Sequence, residues 1–250
     1  MGQNLASSGR LICVASVLLG TWIAGVAAAW TVADGATIHN EATSLPGGQR
    51  LPQGAVVTAS IRFHDKWIAA GADIPAGAKP ILASCAPNGC NPIVWTSNNG
   101  KRWAATWGAT PTGSIPGELM VSGAGSLLLF DDDEGTRLWL TPNAVNWDEV
   151  ALPASMTVLD VSDVEYGRGR FVALFINKFA GGANTTYGNS DEIWTSLDGR
   201  HWGRANVPGT DMRFTALTFG SAGFRLVGSD QAHSSVMWTS HNGTEWKATT

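Results

Sequence analysis

Short apolar, β-branched and aromatic runs separated by glycine-rich and asparagine-rich turns fill the chain after residue 30. Examples are Ile93 to Thr96 and Val236 to Thr239, each of which leads directly into a polar turn. Runs of this length bounded by Gly, Asn and Asp are typical of β-strands. No long stretch has the apolar spacing of an amphipathic helix. The pattern therefore predicts an all-β protein.

Four segments repeat one pattern, in which two tryptophans lie eight residues apart and Asn or Asp follows the first by four. They read W-T-S-N-N-G-K-R-W, W-L-T-P-N-A-V-N-W, W-T-S-L-D-G-R-H-W and W-T-S-H-N-G-T-E-W, at residues 95–103, 139–147, 194–202 and 238–246. Asn-Gly and Asp-Gly favour tight hairpin turns, so we call these segments the tryptophan hairpins. Their Asx side chains are predicted to accept main-chain N–H groups as structural turn residues: Asn99, Asn143, Asp198 and Asn242.

A second repeated element, a strand, a tight turn and another strand, precedes each tryptophan hairpin. It is clearest at residues 166–174 and 219–227, with looser copies at 63–70 and 122–129. Together the two elements make four antiparallel strands, the unit of a β-propeller blade, and the first tryptophans (95, 139, 194, 238) recur after 44, 55 and 44 residues. The sequence predicts four blades, at about 55–110, 118–154, 157–209 and 212–250.

A weaker copy, W-T-V-A-D-G-A-T-I, begins at Trp30 and leaves residues 30–50 as an N-terminal hairpin, or half a blade. A propeller ring that does not close leaves exposed sheet edges. We therefore expect residues 30–50 to pack beside the blade of Trp238 and Trp246, giving a small five-part ring. An open arc of four blades and closure through a second chain are the alternatives.

The tryptophan hairpins resemble the Asp-box, or BNR, repeat of sialidase-type β-propellers, whose pattern is roughly S-x-D-x-G-x-x-W. Here the acidic or amide residue directly precedes glycine, as in Asp198-Gly199, which departs from that pattern by one position. The form W-T-S-x-D-G-x-x-W is similar to a variant of many exported bacterial propellers. The resemblance implies that these turns are structural and lie on the face opposite to the ligand site.

The first 29 residues are predicted to be a targeting segment, followed by the propeller domain at 30–250. Arg10 is the only charged residue among them, and Ala27 to Ala29 offer a signal-peptidase site. An uncleaved membrane anchor is the alternative, because the apolar run from Leu11 has nearly the length of a membrane span. The protein is expected to be exported, either periplasmic or secreted, or else anchored, with the membrane as a partner only through this segment.

The two cysteines of the expected mature chain, Cys85 and Cys90, flank Ala-Pro-Asn-Gly. In an exported protein such a pair predicts a local disulfide. Two cysteines without a nearby histidine make a poor zinc site. The charge is also informative: 16 Lys and Arg against 20 Asp and Glu give −4, which disfavours a nucleic-acid partner.

Large insertions are expected on one end of the blades, which carries the second-to-third strand loops and the connections between blades. We call this end the connection face. Its loops are residues 72–92, 131–136 and 177–192. Variable loops on a repeated scaffold commonly carry binding residues. The candidates for ligand binding are Asp131, Asp132, Asp133, Glu134, Tyr187, Asp191 and Glu192.

Two kinds of ligand are suggested by these loops. Asp131, Asp133 and Glu134 offer enough oxygen atoms for a calcium ion, while a solvated acidic turn is the alternative interpretation. The loop of Tyr187 and Asp191 is polar with one aromatic side chain, which suits carbohydrate or peptide contacts, while a flexible surface loop is the alternative. No other cofactor is expected.

The sialidase resemblance also raises an enzymatic alternative. Such enzymes need three arginines, a Tyr–Glu nucleophile pair and an aspartic acid. The chain has two tyrosines, and the adjacent Glu165 and Tyr166 would point to opposite faces of a strand. The Arg-Ile-Pro motif is absent, since Asp73 precedes Ile-Pro here. The sequence thus favours a non-catalytic propeller that binds a protein or glycan at the cell envelope, with no catalytic residue assigned. A sialidase-like glycan hydrolase is the alternative, and it would require paired carboxylates at the ring centre.

Overall fold

The computed structural model describes residues 38–42, 55–73, 91–108, 119–131, 136–157, 159–176, 191–209, 212–230 and 234–249. In these ranges the chain forms seventeen β-strands in four antiparallel sheets. These strands belong to a compact unit that begins at Val32. None of the described residues belongs to a helix with the length and apolar character that crossing a membrane requires.

The first sheet contains β1 (Ile38–Ala42), β2 (Ala55–Phe63), β3 (Lys66–Asp73), β4 (Asn91–Ser97) and β5 (Ala104–Gly108). The second contains β6 (Leu119–Gly123), β7 (Ser126–Asp131), β8 (Arg137–Thr141) and β9 (Asp148–Glu149). The third contains β10 (Asp160–Gly167), β11 (Arg170–Ile176), β12 (Glu192–Ser196) and β13 (Trp202–Arg204). The fourth contains β14 (Arg213–Gly220), β15 (Gly223–Ser229), β16 (Ser235–Ser240) and β17 (Lys247–Thr249).

The four sheets are the four predicted blades of a β-propeller, which confirms the fold class expected from the repeats. Strands that follow one another along the chain are paired within each sheet. The leading strand of each repeat lies innermost, because β10 contacts both β6 and β14, and β2 contacts β6. Each blade therefore presents one strand to its neighbours near the centre and carries its tryptophan hairpin on the outer side.

The turns between the first two strands of the blades explain why these repeats are rich in glycine. Arg168 and Gly169 both have positive φ angles, 50° and 76°, as do Ala124 and Gly125 at 48° and 74°. Two successive residues of positive φ define a type I′ turn, whose twist matches that of the strands it joins. The turn residues thus set the register in which Gly167 pairs with Arg170.

The tryptophan hairpins share one hydrogen-bond network. In the third blade Ser196 Oγ accepts the N–H of Gly199 at 2.9 Å, and Asp198 Oδ1 accepts those of Arg200 and His201 at 2.8 and 2.9 Å. The indole of Trp202 donates to Gly199 O at 3.0 Å. Asn99, Asn143 and Asn242 accept two main-chain N–H groups in the same way. These side chains organise the turns from within.

Apolar side chains fill the spaces between successive blades. The first and second blades meet through Ala59, Ile61, Phe63, Met120, Leu127 and Leu129. The second and third meet through Leu119, Val121, Leu128, Phe130, Val164 and Phe171. The third and fourth meet through Val172, Leu174, Ile193, Leu217, Leu226 and Trp238. Each fully buried aliphatic side chain contributes about 1.5–3 kcal/mol, so the contacts between blades hold the array together.

The outer face of the fourth blade differs from the equivalent faces of the other three. Counting from the shared turn and tryptophan positions, Arg225, Val227 and Met237 occupy the places of Val172, Leu174 and Ile193 in the third blade. Val227 is 46 % exposed and Met237 37 % exposed, and Arg225 is exposed as well. A terminal repeat with a more polar outer face is the usual way in which an array of repeats ends.

The described part of the N-terminal segment, β1, pairs antiparallel with β2, with Ile38 opposite Ser60 and His39 opposite Ala59. It adds a fifth strand to the first blade, whereas the sequence analysis expected residues 30–50 beside the fourth. Trp238 of that blade packs edge-on against Phe214 in the contact between the third and fourth blades. The rest of residues 30–50, the segment 1–29 and the pair Cys85 and Cys90 lie outside the described residues.

Candidate functional site

The structure places the sequence-predicted ligand residues in two groups. Asp132, Asp133, Glu134 and Tyr187 lie outside the described residues, and Asp131 is the last residue of β7. Asp191 and Glu192 lie side by side where β12 begins. Within the described ranges, no group of three His, Cys, Asp or Glu residues is arranged to hold a metal ion. Calcium binding by Asp131, Asp133 and Glu134 stays a prediction.

Asp191 joins the third blade to the fourth. Its side chain is 4 % exposed, and Oδ2 accepts the main-chain N–H of Phe214 at 2.7 Å. Oδ1 accepts a hydrogen bond from Arg213 Nη1 at 3.3 Å, and its own N–H donates to Met212 O at 3.1 Å. Each of these bonds reaches the beginning of the fourth blade. The carboxylate of Asp191 is therefore engaged in structural contacts.

The side chain of Glu192, at the start of β12, contacts residues of both β12 and β13. Its Oε2 accepts the indole N–H of Trp194 at 2.8 Å, and its Oε1 lies 3.2 Å from Arg204 Nη1. The glutamate side chain is 17 % exposed, whereas Arg204 is 55 % exposed. The ion pair thus fixes a carboxylate at the surface of the blade and leaves much of the guanidinium open to solvent.

A cleft of about 300 Å³ opens beside this ion pair. It is lined by Asp191, Glu192, Ile193, Arg204, Ala205, Asn206, Val207, Gly209, Met212 and Phe214. These residues come from the start of β12 and from the connection between the third and fourth blades. The turn of Asp198 lies at the other end of β12, so the cleft is on the connection face. Apolar side chains meet polar ones here, which suits a small ligand that carries both kinds of surface.

A second pair of carboxyl groups, Asp163 and Glu165, lies on the innermost strand of the third blade. Counting back from the first turn of each blade, these positions correspond to Leu119 and Val121 in the second blade. The first blade has Ala59 and Ile61 there. In the sequence Glu165 stands out only as the neighbour of Tyr166, and no local pattern predicts this pair. The signal that would have revealed it is the substitution of aliphatic residues by acids within the aligned repeats.

The carboxyl group of Asp163 binds the inner edge of the fourth blade. Asp163 Oδ2 accepts the N–H of Leu217 at 3.2 Å, and its Oδ1 accepts the N–H of Val164 at 2.8 Å. The N–H of Phe219 lies on the same side of β14 as that of Leu217, two residues away, and it favours the ionised form of Glu165. Asp163 satisfies a main-chain donor of β14 that its partner strand β15 leaves unpaired.

Burial changes the protonation of this pair. Burial raises the pKa of Asp163 to about 6, against the opposing effect of its hydrogen bonds from Leu217 and Val164. Burial, and then the negative charge of Asp163, raise the pKa of Glu165 to about 8. At neutral pH Glu165 consequently carries a proton while Asp163 is largely ionised. A protonated acid beside a carboxylate is the combination that general acid–base chemistry requires.

No protein-family model matches the sequence, and no curated protein is a significant match. Solved structures do resemble the fold. One belongs to a study of two prolyl endopeptidases, with TM-score 0.51 and 10% identity over 80% of this chain and 27% of that one. Another is a GH43 β-xylosidase/α-arabinofuranosidase from a compost microbial metagenome, with TM-score 0.42 and 11% identity over 76% and 75%.

A third similar structure is a GH32 β-fructofuranosidase from Bombyx mori, with TM-score 0.39 and 10% identity over 80% of this chain and 48% of that one. The chain thus spans 27%, 59% and 53% of the first three similar structures, the second being an α-L-arabinofuranosidase from Fusarium graminearum. Several of the similar structures are named as glycosidases. At this level of identity the likeness is one of fold: the chain is an all-β, propeller-type protein.

Proposed function

We propose that the protein is an exported propeller that binds a carbohydrate in the cleft of the connection face. The observation that carries this proposal is the cleft itself, whose lining combines Glu192, Arg204 and Asn206 with Met212 and Phe214. Carbohydrates present hydroxyl groups that both donate and accept hydrogen bonds, and also apolar C–H surfaces. A lining of charged, amide and apolar side chains offers contacts to each of these surfaces.

The size of the cleft favours a carbohydrate over a protein partner. A volume of about 300 Å³ is at the lower end of the range for small-molecule sites. A specific protein interface buries roughly 800 Å² on each partner, which is much more than such a cleft provides. Arg204, which is 55 % exposed, retains guanidinium donors for a ligand while its Nη1 faces Glu192.

Arg204→Ala tests the proposal directly. We expect the variant to lose about tenfold or more in affinity for the oligosaccharide that the native protein retains in a glycan array, as for the loss of one good charged hydrogen bond. Isothermal titration calorimetry measures the loss. The matched control is Arg200→Ala, an exposed arginine of the same blade on the opposite end. Equal affinity in both variants, or loss in the control alone, would contradict a site at this cleft.

Glycoside hydrolysis is a second candidate, and the pair Asp163 and Glu165 favours it. Residues two apart on a strand lie about 7 Å from one another, and glycosidases use two carboxyl groups roughly 5–10 Å apart. Asp163 is ionised above about pH 6 and Glu165 is protonated below about pH 8. Hydrolysis would therefore show a bell-shaped pH profile with its maximum between these two values.

A panel of aryl glycosides, assayed from pH 4 to 10, tests this second candidate. We expect turnover to fall on the order of 100-fold or more in Glu165→Gln, because the proton donor is lost. Glu149→Gln, an exposed glutamate of β9, serves as the control and should keep native turnover. Absence of turnover with every substrate, while an oligosaccharide still binds, would leave the protein as a binding module.

A further inference from the structure

The tryptophan hairpins and the turns between the first two strands of each blade lie at the end opposite to the connection face. Antiparallel strands that pair in chain order place both kinds of turn at the same end of a sheet. Contacts between blades keep these ends together: Arg168 Nη2 donates to Ser221 O of the fourth blade at 3.0 Å, and Phe63 of the first blade shares an apolar cluster with Ala144 of the second. We call this end the turn face, and it comprises residues 63–66, 97–103, 123–126, 141–147, 167–170, 196–202, 220–223 and 240–246.

The turn face carries positive charge in a chain that is negative as a whole. It contains six Lys and Arg against three Asp and Glu, a net charge of +3, whereas the chain carries −4. The six cations are Lys66, Lys101, Arg102, Arg168, Arg170 and Arg200. Acids lie instead at the strand ends of the connection face, among them Asp160, Asp191, Glu192 and Asp230. The two ends of the propeller therefore differ in charge.

Four of the cations on the turn face are exposed: Lys101, Arg102, Arg168 and Arg200. Asn99 Oδ1 accepts the main-chain N–H groups of Lys101 and Arg102, so the turn does not engage their side chains. The side chain of Arg200 is 43 % exposed although it forms an ion pair with Asp148 of the second blade. The hydrogen bonds of the turns thus fix the backbone and leave charged side chains accessible to a partner.

Two aliphatic side chains are exposed among these cations. Leu197 is 61 % exposed and Val145 is 49 % exposed. The turns do not require them, because Asn143 Oδ1 binds Val145 through its main-chain N–H, and Leu197 only separates two turn residues. The first and fourth hairpins have polar residues at these places: Asn98 and His241 for Leu197, and Lys101 and Thr244 for Val145. The second and third hairpins therefore add apolar tips to a basic surface.

We propose that the turn face binds the surface of an anionic phospholipid membrane. Leu197 and Val145 enter the headgroup region, while Lys101 and Arg102 face the lipid phosphates. The proposal goes beyond carbohydrate binding and does not depend on it, because the cleft with Arg204 lies at the opposite end of the propeller. A protein bound in this way presents its connection face to the solvent.

The combination of cations and apolar tips favours a membrane over other acidic partners. Each Lys or Arg close to an anionic membrane strengthens binding about fivefold, and an aliphatic side chain gains further affinity when it leaves water for the interface. A nucleic acid would attract the cations but offers no apolar region to Leu197. A protein would need a separate pocket for each hairpin tip, whereas a membrane offers phosphates and apolar surface at every point.

Sedimentation with lipid vesicles tests the proposal. The full chain is mixed with vesicles of phosphatidylcholine alone, or of equal parts phosphatidylcholine and phosphatidylglycerol. We expect at least about tenfold tighter binding to the anionic vesicles. This preference should largely disappear at about 1 M salt, where charges are screened beyond about 3 Å. Residues 1–29 are the same in every variant, so differences between variants report on the turn face.

Removing single cations tests the electrostatic part. Lys101→Ala and Arg102→Ala should each weaken binding to the anionic vesicles about fivefold. Arg204→Ala is the matched control, because it removes the same charge from the connection face, and it should bind these vesicles as the native protein does. Carbohydrate affinity should respond in the opposite way, so that failure of one proposal is distinguishable from failure of the other.

Replacing the apolar tips tests the second part. Val145→Thr combined with Leu197→Asn copies residues of the fourth and first hairpins, so the turns should keep their structure and Tm should stay nearly unchanged. We expect vesicle affinity to fall about tenfold, since two aliphatic side chains no longer leave water. Val227→Thr is the control, because Val227 is 46 % exposed on the outer face of the fourth blade, and it should bind as the native protein does.

Three results would overturn the proposal. The first is equal binding of the native protein to both kinds of vesicle, because a surface without charge preference would then explain the binding. The second is an equal loss of affinity in Lys101→Ala and Arg204→Ala. The third is a complex between copies, seen by analytical ultracentrifugation, that Lys101→Ala dissociates while vesicle binding is unchanged. That result would assign the turn face to the acidic connection face of a second copy.

Discussion

The contact between the second and third blades and the contact between the third and fourth use the same backbone with opposite chemistry. In the former, Leu119 and Val121 are 2 % and 0 % exposed and pack against apolar neighbours. In the latter, Asp163 and Glu165 occupy the equivalent positions, and Asp163 accepts the main-chain N–H of Leu217. An apolar contact gains free energy from burial, whereas a carboxyl group in such a contact loses hydration that hydrogen bonds must replace.

The third blade thus differs from the second on its innermost strand, although the turns of the two blades are alike. The aliphatic side chains at these positions in the second blade offer no hydrogen-bond acceptor to the main-chain N–H groups of the neighbouring strand. In the third blade Asp163 supplies a hydrogen-bond acceptor to β14, at the cost of partly burying a polar group. Repetition therefore preserves the hairpins, while the innermost positions are free to diverge.

The largest effect on stability is expected when an acid is placed in the second blade at the position that Glu165 occupies in the third. Val121→Glu places a carboxyl group in the apolar contact formed by Leu119, Val164 and Phe171. An unpaired buried acid should lower the free energy of unfolding by about 3–5 kcal/mol. Urea denaturation followed by tryptophan fluorescence measures the change.

The matched control for this substitution is Thr218→Glu, at the equivalent position of the fourth blade. Thr218 is exposed, so a new acid there should change the free energy of unfolding by no more than about 0.5 kcal/mol. If both variants were equally stable, the second and third blades would not pack as closely as described.

A smaller effect on stability is expected from crowding the aromatic rings that pack at both of these contacts between blades. Gly123 lies under the ring of Tyr166, and Gly167 lies under the ring of Phe219. A Cβ atom added to either glycine would lie 2.2 Å from the ring above it. Gly167→Ala should therefore lower stability by about 1–3 kcal/mol through overpacking. Thermal unfolding followed by circular dichroism measures the change in Tm.

Gly220 provides the control for Gly167, because it holds the same turn position in the fourth blade. An added Cβ atom there has no neighbour within 4 Å. Gly220→Ala should consequently leave Tm nearly unchanged or raise it slightly, since alanine restricts the unfolded chain. A drop as large as that of Gly167→Ala would mean that backbone strain, and not the neighbouring ring, causes the loss.

The smallest effect concerns a region that all the blades share, the tryptophan hairpins. Asp198→Ala removes the acceptor for the N–H groups of Arg200 and His201 and should cost about 1 kcal/mol. Those bonds hold the pKa of Asp198 below its usual value, the His201 N–H contributing most. Their contribution is thus present above the usual pKa and lost as the pH falls below it. Urea denaturation at pH 7 and pH 3 measures both changes.

Carbohydrate affinity should stay unchanged in Asp198→Ala, because the turn lies at the end of β12 away from the cleft. Loss of affinity without loss of stability would instead move the functional site to the side of the tryptophan hairpins. The variant therefore tests whether the structural and binding ends of the blade are separate.

The sequence indicated one part of the candidate site and missed another for a physical reason. Asp191 and Glu192 were predicted as ligand residues, and both line the cleft, yet their carboxylates bind Phe214, Arg213, Trp194 and Arg204. Arg204 lies on the next strand, and Phe214 and Arg213 lie in the next blade. Asp163 has the local sequence of an ordinary strand acid, because its partner in the next blade is a main-chain amide 54 residues further along the chain. Amide donors leave no trace in sequence.

The sequence by itself determined what depends on neighbouring residues: the strands, the tight turns between them, the tryptophan hairpins and hence four blades. These features follow from local backbone preferences and side-chain-to-turn hydrogen bonds, and the Asp198 turn needs only residues 196–202. Tertiary structure alone decided which blade covers which side chain. It placed Asp163 and Glu165, each partly buried, beside β14, left Val227 and Met237 open on the fourth blade, and placed β1 beside β2. Burial, pKa and strand partners depend on residues distant in sequence, and no local pattern encodes them.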